Sequence, residues 1–271
     1  MSKINWFPGH MARATNDIKD TKPLDLIIEV IDARAINTSR NSDLIKLINK
    51  PKMTVALKED LADAKSLNIP DDVMVLSIKD GDAKEQILYQ LNKFFADKID
   101  KLKTKGLLVP QFYMLVLGLP NVGKSSLINA CSEYGSRAIV QNKPGVTKRK
   151  QLIKISDNFF LYDTPGIMVK KVDTDEQGYI LSLLNVIKKD VIPLEDTCEW
   201  AYNFFMLKYR EQFVSYFKIP THVSFSDFID FLCRRFNFYK MENLYDKERG
   251  MDYFLNLIKD GKICRVNYEK N

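Results

Sequence analysis

A segment near the middle of the chain carries residue types that bind phosphate groups. Gly118-Leu119-Pro120-Asn121-Val122-Gly123-Lys124-Ser125 fits the pattern G-x-x-x-x-G-K-S/T. Its glycines allow backbone N–H groups to turn towards phosphate oxygens, and the N-terminus of a following helix adds partial positive charge. We expect Lys124 to reach the β- and γ-phosphates of a nucleotide and Ser125 to ligate Mg²⁺. The other binding residues expected in this segment are Asn121, Val122, Gly123 and Ser126.

A second segment, Asp163-Thr164-Pro165-Gly166, directly follows an apolar run that is typical of a strand. A carboxylate at a strand end can hold Mg²⁺ through water and a glycine N–H can contact the γ-phosphate, so we assign these roles to Asp163 and Gly166. Thr147 lies between the two segments and would supply a second hydroxyl for Mg²⁺. In this order, the three elements indicate a nucleoside triphosphate site.

The net charge of +6 is unevenly distributed along the chain. The stretch from Tyr134 to Ser156 contains six basic residues and no acidic one, whereas from Asp190 onward 12 Lys/Arg stand against 13 Asp/Glu. A dense stretch of one sign favours a polyanionic partner, either a nucleotide or RNA. Charge alone leaves a solvated loop as an equal alternative.

The composition of the 271 residues, 45% hydrophobic and 28% charged, excludes wholesale disorder and a fibrous repeat. No apolar run approaches the roughly 18–20 residues that span a bilayer. The first residues lack the apolar core of a signal peptide, so we expect an intracellular soluble protein. The four cysteines form no C-x-x-C pair and only two histidines are present, which disfavours a zinc site or disulfides and favours buried free thiols.

Apolar runs alternate with helical patterns in the first two thirds of the chain, which predicts parallel β/α units. The predicted strands are Leu24–Ile31, Met53–Leu57, Val73–Ile78, Phe112–Leu117, Gln151–Ile155 and Phe159–Tyr162. The predicted helices are His10–Thr21, Asn41–Asn49, Asp82–Lys103, Lys124–Cys131 and one that begins at Thr174.

The aromatic content rises sharply near Asp190, since 18 of the 30 aromatic residues lie in the last 82 positions. We therefore expect a domain boundary at Lys189–Pro193, which separates residues 1–189 from a helical domain of residues 190–271. Two aromatic stripes at helical spacing are expected to form its core rather than an RNA-stacking surface. The stripes are Phe225, Phe228, Leu232 and Phe236, and Trp200, Phe204 and Leu207.

The phosphate-binding segment, Thr147 and Asp163–Gly166 resemble the first three motifs of GTPases related to translation factors. The base-reading motifs of that class, Asn-Lys-x-Asp and Ser-Ala-Lys, have counterparts here in Leu57-Lys58-Glu59-Asp60 and Ser77-Ile78-Lys79. Both counterparts precede the phosphate-binding segment instead of following it. This order is physically allowed, because loops at the carboxyl ends of parallel strands converge on one ligand whatever the chain connection.

Four segments narrow the resemblance to the circularly permuted ribosome biogenesis GTPase A family, whose relatives include mitochondrial GTPase 1. They are Trp6-Phe7-Pro8-Gly9-His10-Met11, Asp32-Ala33-Arg34, Arg40-Asn41 and Pro120–Asn129. The resemblance implies an α/β fold, with a circularly permuted P-loop GTPase domain built on a mostly parallel sheet and a small all-helical C-terminal domain. It also implies GTP or GDP with Mg²⁺ as ligands.

The resemblance further implies a GTP-hydrolysing assembly factor that binds the large ribosomal subunit precursor and its rRNA through the helical domain. DNA binding and a membrane span are not expected, and the free protein is expected to be a monomer. The family pattern starts within six residues of Met1, which leaves no room for a presequence and favours bacterial cytoplasm over the mitochondrial matrix. The competing interpretation is a degenerate GTPase that binds RNA in a nucleotide-gated way with little turnover.

Two positions depart from the GTPase patterns. Leu57 replaces an Asn that contacts guanine, which predicts weaker and less selective binding, since a lost hydrogen bond costs roughly 1–3 kcal/mol. Asp60 can still accept from guanine N1–H and the 2-amino group, and Lys58 can still cover the base. Ile167 occupies the position where many GTPases orient the attacking water with Gln, so intrinsic hydrolysis should be slow.

Two residues are candidates to compensate for Ile167. Asn121 matches the position that coordinates K⁺ in cation-activated relatives, with simple loop capping as an equal alternative. By the resemblance, His10 positions the water when the ribosomal particle is bound, with a structural role at a helix start as its alternative. The expected catalytic set is therefore His10, Lys124, Thr147 and Asp163.

Overall fold

The computed structural model describes residues 21, 23–46, 48–133, 151–164, 172–241 and 244–269, and every structural statement below refers to these residues. A six-stranded sheet with the order β3-β2-β1-β4-β6-β5 lies at its centre. The strands are Leu26–Asp32 (β1), Lys52–Leu57 (β2), Val73–Leu76 (β3), Phe112–Leu117 (β4), Gln151–Lys154 (β5) and Phe159–Asp163 (β6). All pairs are parallel except β5 with β6, so the predicted mostly parallel sheet is confirmed.

The central strands are apolar because both faces of the sheet are covered, as parallel sheets require. Every residue of β1 is buried, and so are the last four residues of β2 and of β4. The register aligns Asp32 at the end of β1 with Leu57 at the end of β2. The carboxyl ends of five strands consequently lie along one edge of the sheet.

Eight α-helices accompany the sheet in the described part of the chain. They are Ser42–Lys46 (α1), Ala83–Thr104 (α2), Lys124–Cys131 (α3), Asp175–Leu183 (α4), Leu194–Lys208 (α5), Arg210–Phe217 (α6), Phe225–Arg235 (α7) and Lys247–Lys259 (α8). Helix α2 buries Ile87, Leu91 and Phe95, which are four residues apart and share one helix face. The Phe95 ring stacks on Phe112 of β4 at 4.2 Å between ring centroids, which fixes α2 against the sheet.

Two predicted helix starts are confirmed by their caps. The Thr174 hydroxyl accepts from the Gln177 backbone N–H at 3.1 Å, and the Ser224 hydroxyl accepts from the Asp227 N–H at 3.1 Å. In a capping box the side chain at the third helical position accepts from the N–H of the capping residue, which here would be Thr174. Gln177 Oε1 instead accepts from the N–H of Asp173, one residue earlier. These caps satisfy N–H groups that have no partner within the helix.

The helical region that follows Pro193 is built around aromatic rings. Phe213, Phe228 and Phe254 come from α6, α7 and α8, are fully buried and contact one another at 5.1–5.9 Å between centroids. The region also contains a short antiparallel pair, Tyr239–Met241 (β7) and Leu244–Tyr245 (β8), so the expectation of helices alone requires this correction.

One of the two predicted aromatic stripes is wrong. On α5 the buried residues are Thr197, Cys198, Ala201, Tyr202 and Phe205, whereas Leu207 is 88% exposed and Trp200 and Phe204 are half-buried. The stripe therefore lies at the margin of the buried face, about one residue out of phase with it. On α7 Phe228 and Leu232 are buried as predicted, while Phe236 lies just beyond the helix end and is exposed.

Element boundaries differ from the predictions at two places that matter for the site. The strand predicted over Val73–Ile78 ends at Leu76, because the chain turns into a 3₁₀ helix over Ile78–Asp80. The helix predicted over Asn41–Asn49 is the shorter α1. The helix predicted over His10–Thr21 lies outside the described residues apart from Thr21.

The four cysteines are free thiols, with three buried and Cys264 half-buried, as the sequence predicts. Within the described ranges, none of the helices combines the length and the apolarity that a bilayer crossing requires.

We expect a buried leucine of the α7 stripe and the exposed leucine of the α5 stripe to contribute differently to the free energy of unfolding. Leu232→Ala on α7 removes a fully buried side chain and should lower the free energy of unfolding by about 2–5 kcal/mol. The same change at exposed Leu207 should alter it by no more than about 0.5 kcal/mol. Urea unfolding of both variants measures the difference, and equal losses would contradict the assignment of Leu207 to the surface.

Candidate nucleotide-binding site

The phosphate loop, residues Gly118–Ser125, connects β4 to α3. A Cβ atom at Gly118 would lie 2.3 Å from the Val30 carbonyl oxygen, so glycine is required for the close approach of this loop to β1. Gly123 has a φ of 111° and precedes the first residue of α3, where glycine adopts the left-handed conformation without a steric penalty. Val122 is buried beneath the loop, and Ser126 is half-buried in the first turn of α3.

Lys124 is buried at the start of α3, and its ammonium group donates to the Leu119 carbonyl at 2.7 Å. Burial lowers its pKa to about 8, although the nearby Asp163 carboxylate opposes this shift. Lys124 therefore lies folded against its own loop as a cation with few compensating charges. A phosphate group would supply the negative charge that this ammonium lacks.

Asp163 lies at the end of β6, within reach of the Ser125 hydroxyl. Burial raises the pKa of its carboxyl group, against the opposing effects of Lys124, the Thr164 backbone and Ser125. Its Oδ1 atom is buried and has no hydrogen-bond partner among the described residues. A buried carboxylate oxygen with spare capacity beside a serine hydroxyl is the oxygen donor set that Mg²⁺ prefers, so these residues fit the ion.

The two base-reading loops lie next to each other at the same sheet edge. Asp60 lies in a 3₁₀ turn after β2, and Ser77 caps the turn Ile78–Asp80 after β3 by accepting from the Lys79 N–H at 3.2 Å. The Asp60 carboxylate accepts from Lys79 Nζ at 2.5 Å and from Ser77 Oγ at 3.4 Å. The two motifs that the sequence separates by 16 residues thus meet through Asp60.

Lys58 joins the base-reading side to the phosphate loop. It adopts a left-handed conformation with a φ of 67° directly after β2. Its ammonium group donates to Asp32 Oδ2 at 2.8 Å and to the Asn121 carbonyl at 2.7 Å. Burial lowers the Lys58 pKa, an effect that Asp32 opposes.

Leu57 is fully buried at the end of β2 and faces the phosphate loop. A Cβ atom built on Gly123 would lie 2.8 Å from Leu57 Cδ1, so the leucine side chain fills the space directly against this glycine. An apolar contact therefore links β2 to the phosphate loop at the position where the family's carboxamide is expected.

Asn121 has a structural partner. Its φ is 60°, and its side-chain Nδ2 donates to the Asn185 carbonyl at 2.7 Å, just beyond α4. The amide thereby ties the phosphate loop to the segment that leads into the helical region. Capping of the phosphate loop and K⁺ coordination both stay predictions for Asn121.

Sequence reasoning missed two residues of this site, Asp32 and Arg34, which it noted only as part of a family resemblance. Both are buried at the end of β1, and Arg34 Nε and Nη2 each donate to Asp32 at 2.9 Å. The available signal was Asp32 at the end of a mostly apolar strand, with Arg34 two residues further on. Of the remaining expected site residues, His10, Thr147 and Gly166 lie outside the described residues, as does Ile167.

The sheet order and the position of the phosphate loop define a P-loop GTPase whose base-reading strands precede its phosphate-binding strand. Residues 113–201 match a family model described as 50S ribosome-binding GTPase. The probable ribosome biogenesis GTPase A of Mycoplasma genitalium is 36% identical over 274 residues, covering 100% of this chain and 98% of that protein. The chain belongs to the ribosome biogenesis GTPase A family and is a GTPase.

A more distant relative and two solved structures also match the chain. The protein "Short integuments 2, mitochondrial" of Arabidopsis thaliana is 33% identical over 220 residues, which cover 73% of this chain and 55% of that protein. The fold is similar to that of GNP-bound YlqF from T. maritima, with a TM-score of 0.67, 23% identity and coverage of 95% of this chain and 98% of that one. A GDP-bound YlqF structure gives a TM-score of 0.64 at 22% identity, with coverage of 91% and 95%.

The lowered pKa of Lys124 predicts that GTP affinity depends on pH. Bound phosphate raises this pKa, so above a free-protein pKa of about 8 binding must take up a proton. Affinity should be constant below that pH and fall by up to about tenfold per pH unit above it.

Calorimetry at pH 9 in two buffers of different ionisation enthalpy measures the proton uptake. Lys58→Met removes the other buried ammonium group of the site and should leave the uptake in place. If the uptake disappears in this variant, Lys58 and not Lys124 is its source.

Proposed function

We propose that this chain hydrolyses GTP at the sheet edge described above and acts in assembly of the large ribosomal subunit. The observation that carries the proposal is the convergence of three strand ends, those of β2, β4 and β6, which bring Lys124, Ser125, Asp163 and Asp60 to one edge. The printed names of its relatives, ribosome biogenesis GTPase A and 50S ribosome-binding GTPase, support the ribosomal role.

Each residue of the phosphate side has a role in this proposal. Lys124 leaves the Leu119 carbonyl to contact the β- and γ-phosphates, which satisfies its buried charge. Ser125, Asp163 and Thr147 would hold Mg²⁺, and the ion would neutralise charge that develops on the phosphate oxygens. The Gly166 N–H contacts the γ-phosphate. The orphaned Oδ1 of Asp163 supports this arrangement.

On the base side, Asp60 accepts from guanine N1–H and the 2-amino group, while the aliphatic part of Lys58 covers one face of the base. Ser77, Ile78 and Lys79 line the neighbouring loop, and their contact with Asp60 holds its carboxylate in place. Leu57 cannot bond to guanine, so selectivity rests on Asp60. This accounts for a preference for GTP over ATP that is weaker than an Asn at position 57 would give.

The catalytic step requires an external contribution, because Ile167 cannot orient water. His10 positions the water when the ribosomal particle is bound. Asn121 would hold a K⁺ ion, which would supply positive charge to the reacting phosphate groups. The basic stretch around Thr147 would attract the negatively charged phosphates of rRNA.

The helical region from residue 190 forms a second domain with its own rRNA contact. The setting is the bacterial cytoplasm, and the mitochondrial matrix is the alternative.

We expect Asp60→Asn to change which purine is preferred. The asparagine side-chain oxygen can still accept from N1–H, but its NH2 group donates to the 2-oxo group of xanthine and is repelled by the 2-amino donor of guanine. GDP affinity should fall by about 10–100-fold, the equivalent of a lost charged hydrogen bond, while XDP affinity rises. Titration with fluorescent GDP and XDP measures both changes.

Asp72→Asn serves as the matched control, because Asp72 is an exposed carboxylate whose ion pairs with Arg40 and Lys52 lie away from the phosphate loop. This variant should bind both nucleotides like the parent. A loss of GDP binding in Asp60→Asn without any gain in XDP binding would contradict a base-reading role for Asp60.

Turnover should be slow for the free protein and faster with large-subunit particles. The stimulation should fall steeply as salt is raised, because phosphate contacts of Lys148, Arg149 and Lys150 are screened. His10→Ala should keep GTP affinity while losing most of the stimulated rate, as expected for a group needed only in the transition state. Phosphate release with and without particles across a salt series measures these effects.

Full stimulated turnover in His10→Ala would leave His10 with a structural role alone. Equal rates in potassium and sodium chloride would remove K⁺ from the proposal. Absence of stimulation at every salt concentration would favour the nucleotide-gated RNA-binding module over the assembly GTPase.

A further inference from the structure

The ion pair between Asp32 and Arg34 is buried at the end of β1, and the function proposed above assigns it no role. The Asp32 side chain is 0% exposed and that of Arg34 is 3% exposed, and the two form a bidentate pair with both contacts at 2.9 Å. Removing two charges from water carries a large desolvation cost, and apolar residues often replace such pairs without loss of stability. The position of the pair, beside the base-reading loop, suggests a role other than stability.

The Asp32 carboxylate also holds the ammonium group of Lys58. Its Oδ2 accepts from Lys58 Nζ at 2.8 Å, and the same Nζ donates to the Asn121 carbonyl of the phosphate loop at 2.7 Å. Two fixed acceptors therefore determine where the end of this long side chain lies. Without Asp32, Lys58 would face the Arg34 guanidinium across a buried space and would be repelled from its present position.

We propose that Asp32 is a positioning residue of the guanine-nucleotide site, which acts by fixing Lys58 between the base-reading loop and the phosphate loop. The inference rests on the proposed function, because it takes Lys58 and the phosphate loop as nucleotide ligands. The proposal adds Asp32 to the site as a residue that contacts neither the base nor the phosphates. Asp32 acts only through the side chain of Lys58.

Asp32 keeps its charge throughout the physiological range. Burial alone would raise the pKa of its carboxyl group, but Arg34 and then Lys58 outweigh this and bring the pKa far below its usual value. The carboxylate therefore stays ionised, and the position of Lys58 does not vary with the protonation of Asp32.

Arg34 extends the arrangement to the end of the chain. Its Nη1 donates to the carbonyl of Lys259, the last residue of α8, at 3.2 Å, and its own carbonyl accepts from the Tyr268 N–H at 2.8 Å. The tail, residues Ile263–Glu269, thus lies directly against the ion pair. The Tyr268 ring is fully buried there.

The tail contacts the loops that follow both β1 and β2. Val266 forms an isolated bridge with Ala62, and Asn267 Nδ2 donates to the Ser66 carbonyl at 2.6 Å. The Glu269 carboxylate accepts from the Asn37 N–H at 3.1 Å and from the Thr38 N–H at 2.5 Å. The tail consequently holds the segment that directly follows Asp32, so we infer that tail contacts set guanine-nucleotide affinity through Asp32 and Lys58.

A double-mutant cycle tests the proposal. Asp32→Asn keeps the shape of the side chain but removes the charge, and Lys58→Met keeps the aliphatic stem but removes the ammonium group. Each single change should weaken GDP binding by about tenfold. Asp32→Asn should cause no further loss in the Lys58→Met background, because its effect passes through Lys58. A purely structural role would instead give losses that multiply, and that result would overturn the proposal.

A second variant keeps the test decisive if Asp32→Asn does not fold. Glu269→Ala removes a half-buried carboxylate that holds Asn37 and Thr38, in the loop after β1, and it should weaken GDP binding several-fold in the parent but not in Lys58→Met. Unchanged affinity in the parent background would contradict the role of the tail. Asp157→Asn, which breaks an exposed ion pair with Lys154, is the control and should bind like the parent.

The outcomes separate this inference from the proposed function. If the parent protein binds no guanine nucleotide, the proposed function fails, whatever the variants do. If the parent binds GDP and both Asp32→Asn and Glu269→Ala bind it equally well, the nucleotide site stands and the positioning role fails alone.

Discussion

The parallel alignment of β1, β2, β3, β4 and β6 is the constraint on which the site depends. Because these strands run in one direction, their carboxyl ends meet at one edge, and loops far apart in sequence become neighbours. The base-reading loops precede the phosphate loop in the chain, yet Lys58 contacts the Asn121 carbonyl at 2.7 Å. The order of the strands along the chain can therefore change while the arrangement around a ligand is retained.

Much of this arrangement follows from the sequence. The phosphate loop is a local pattern whose glycines are required by backbone geometry, and the alternation of strands and helices determines the parallel sheet. The stripe on α5 was misjudged because aromatic residues at helical spacing do not reveal which of two adjacent helix faces is buried. The contact of Lys58 with Asp32 was beyond sequence reasoning, since it joins loops that follow two different strands and depends on their register.

Leu57 occupies a position that belongs both to the apolar core and to the edge of the candidate site. The end of β2 lies where the apolar core meets the phosphate loop, so its side chain can either bond to the ligand or pack against Gly123. Here it packs, and the leucine is fully buried. In the proposed site, hydrogen bonding to guanine is then left to Asp60. The connection between β2 and the phosphate loop is maintained by van der Waals contact and by the Lys58 ammonium group.

Because the base-reading strands come first in the sequence, the segment after β6 does not have to form them. This affects where the tail, residues Ile263–Glu269, lies in the fold. In this order the segment after β6 is free to enter the helical region, and α8 then returns the chain to β1. The tail reaches the loops after β1 and β2 from outside the sheet, while Asn121 reaches the end of α4 from the phosphate loop. The helical region is thus bonded to the base side of the nucleotide site through Arg34, and the segment that leads into this region is bonded to the phosphate side through Asn185. A displacement of that region must therefore disturb at least one of these two bonds, which links the position of the helical region physically to the geometry of the nucleotide site.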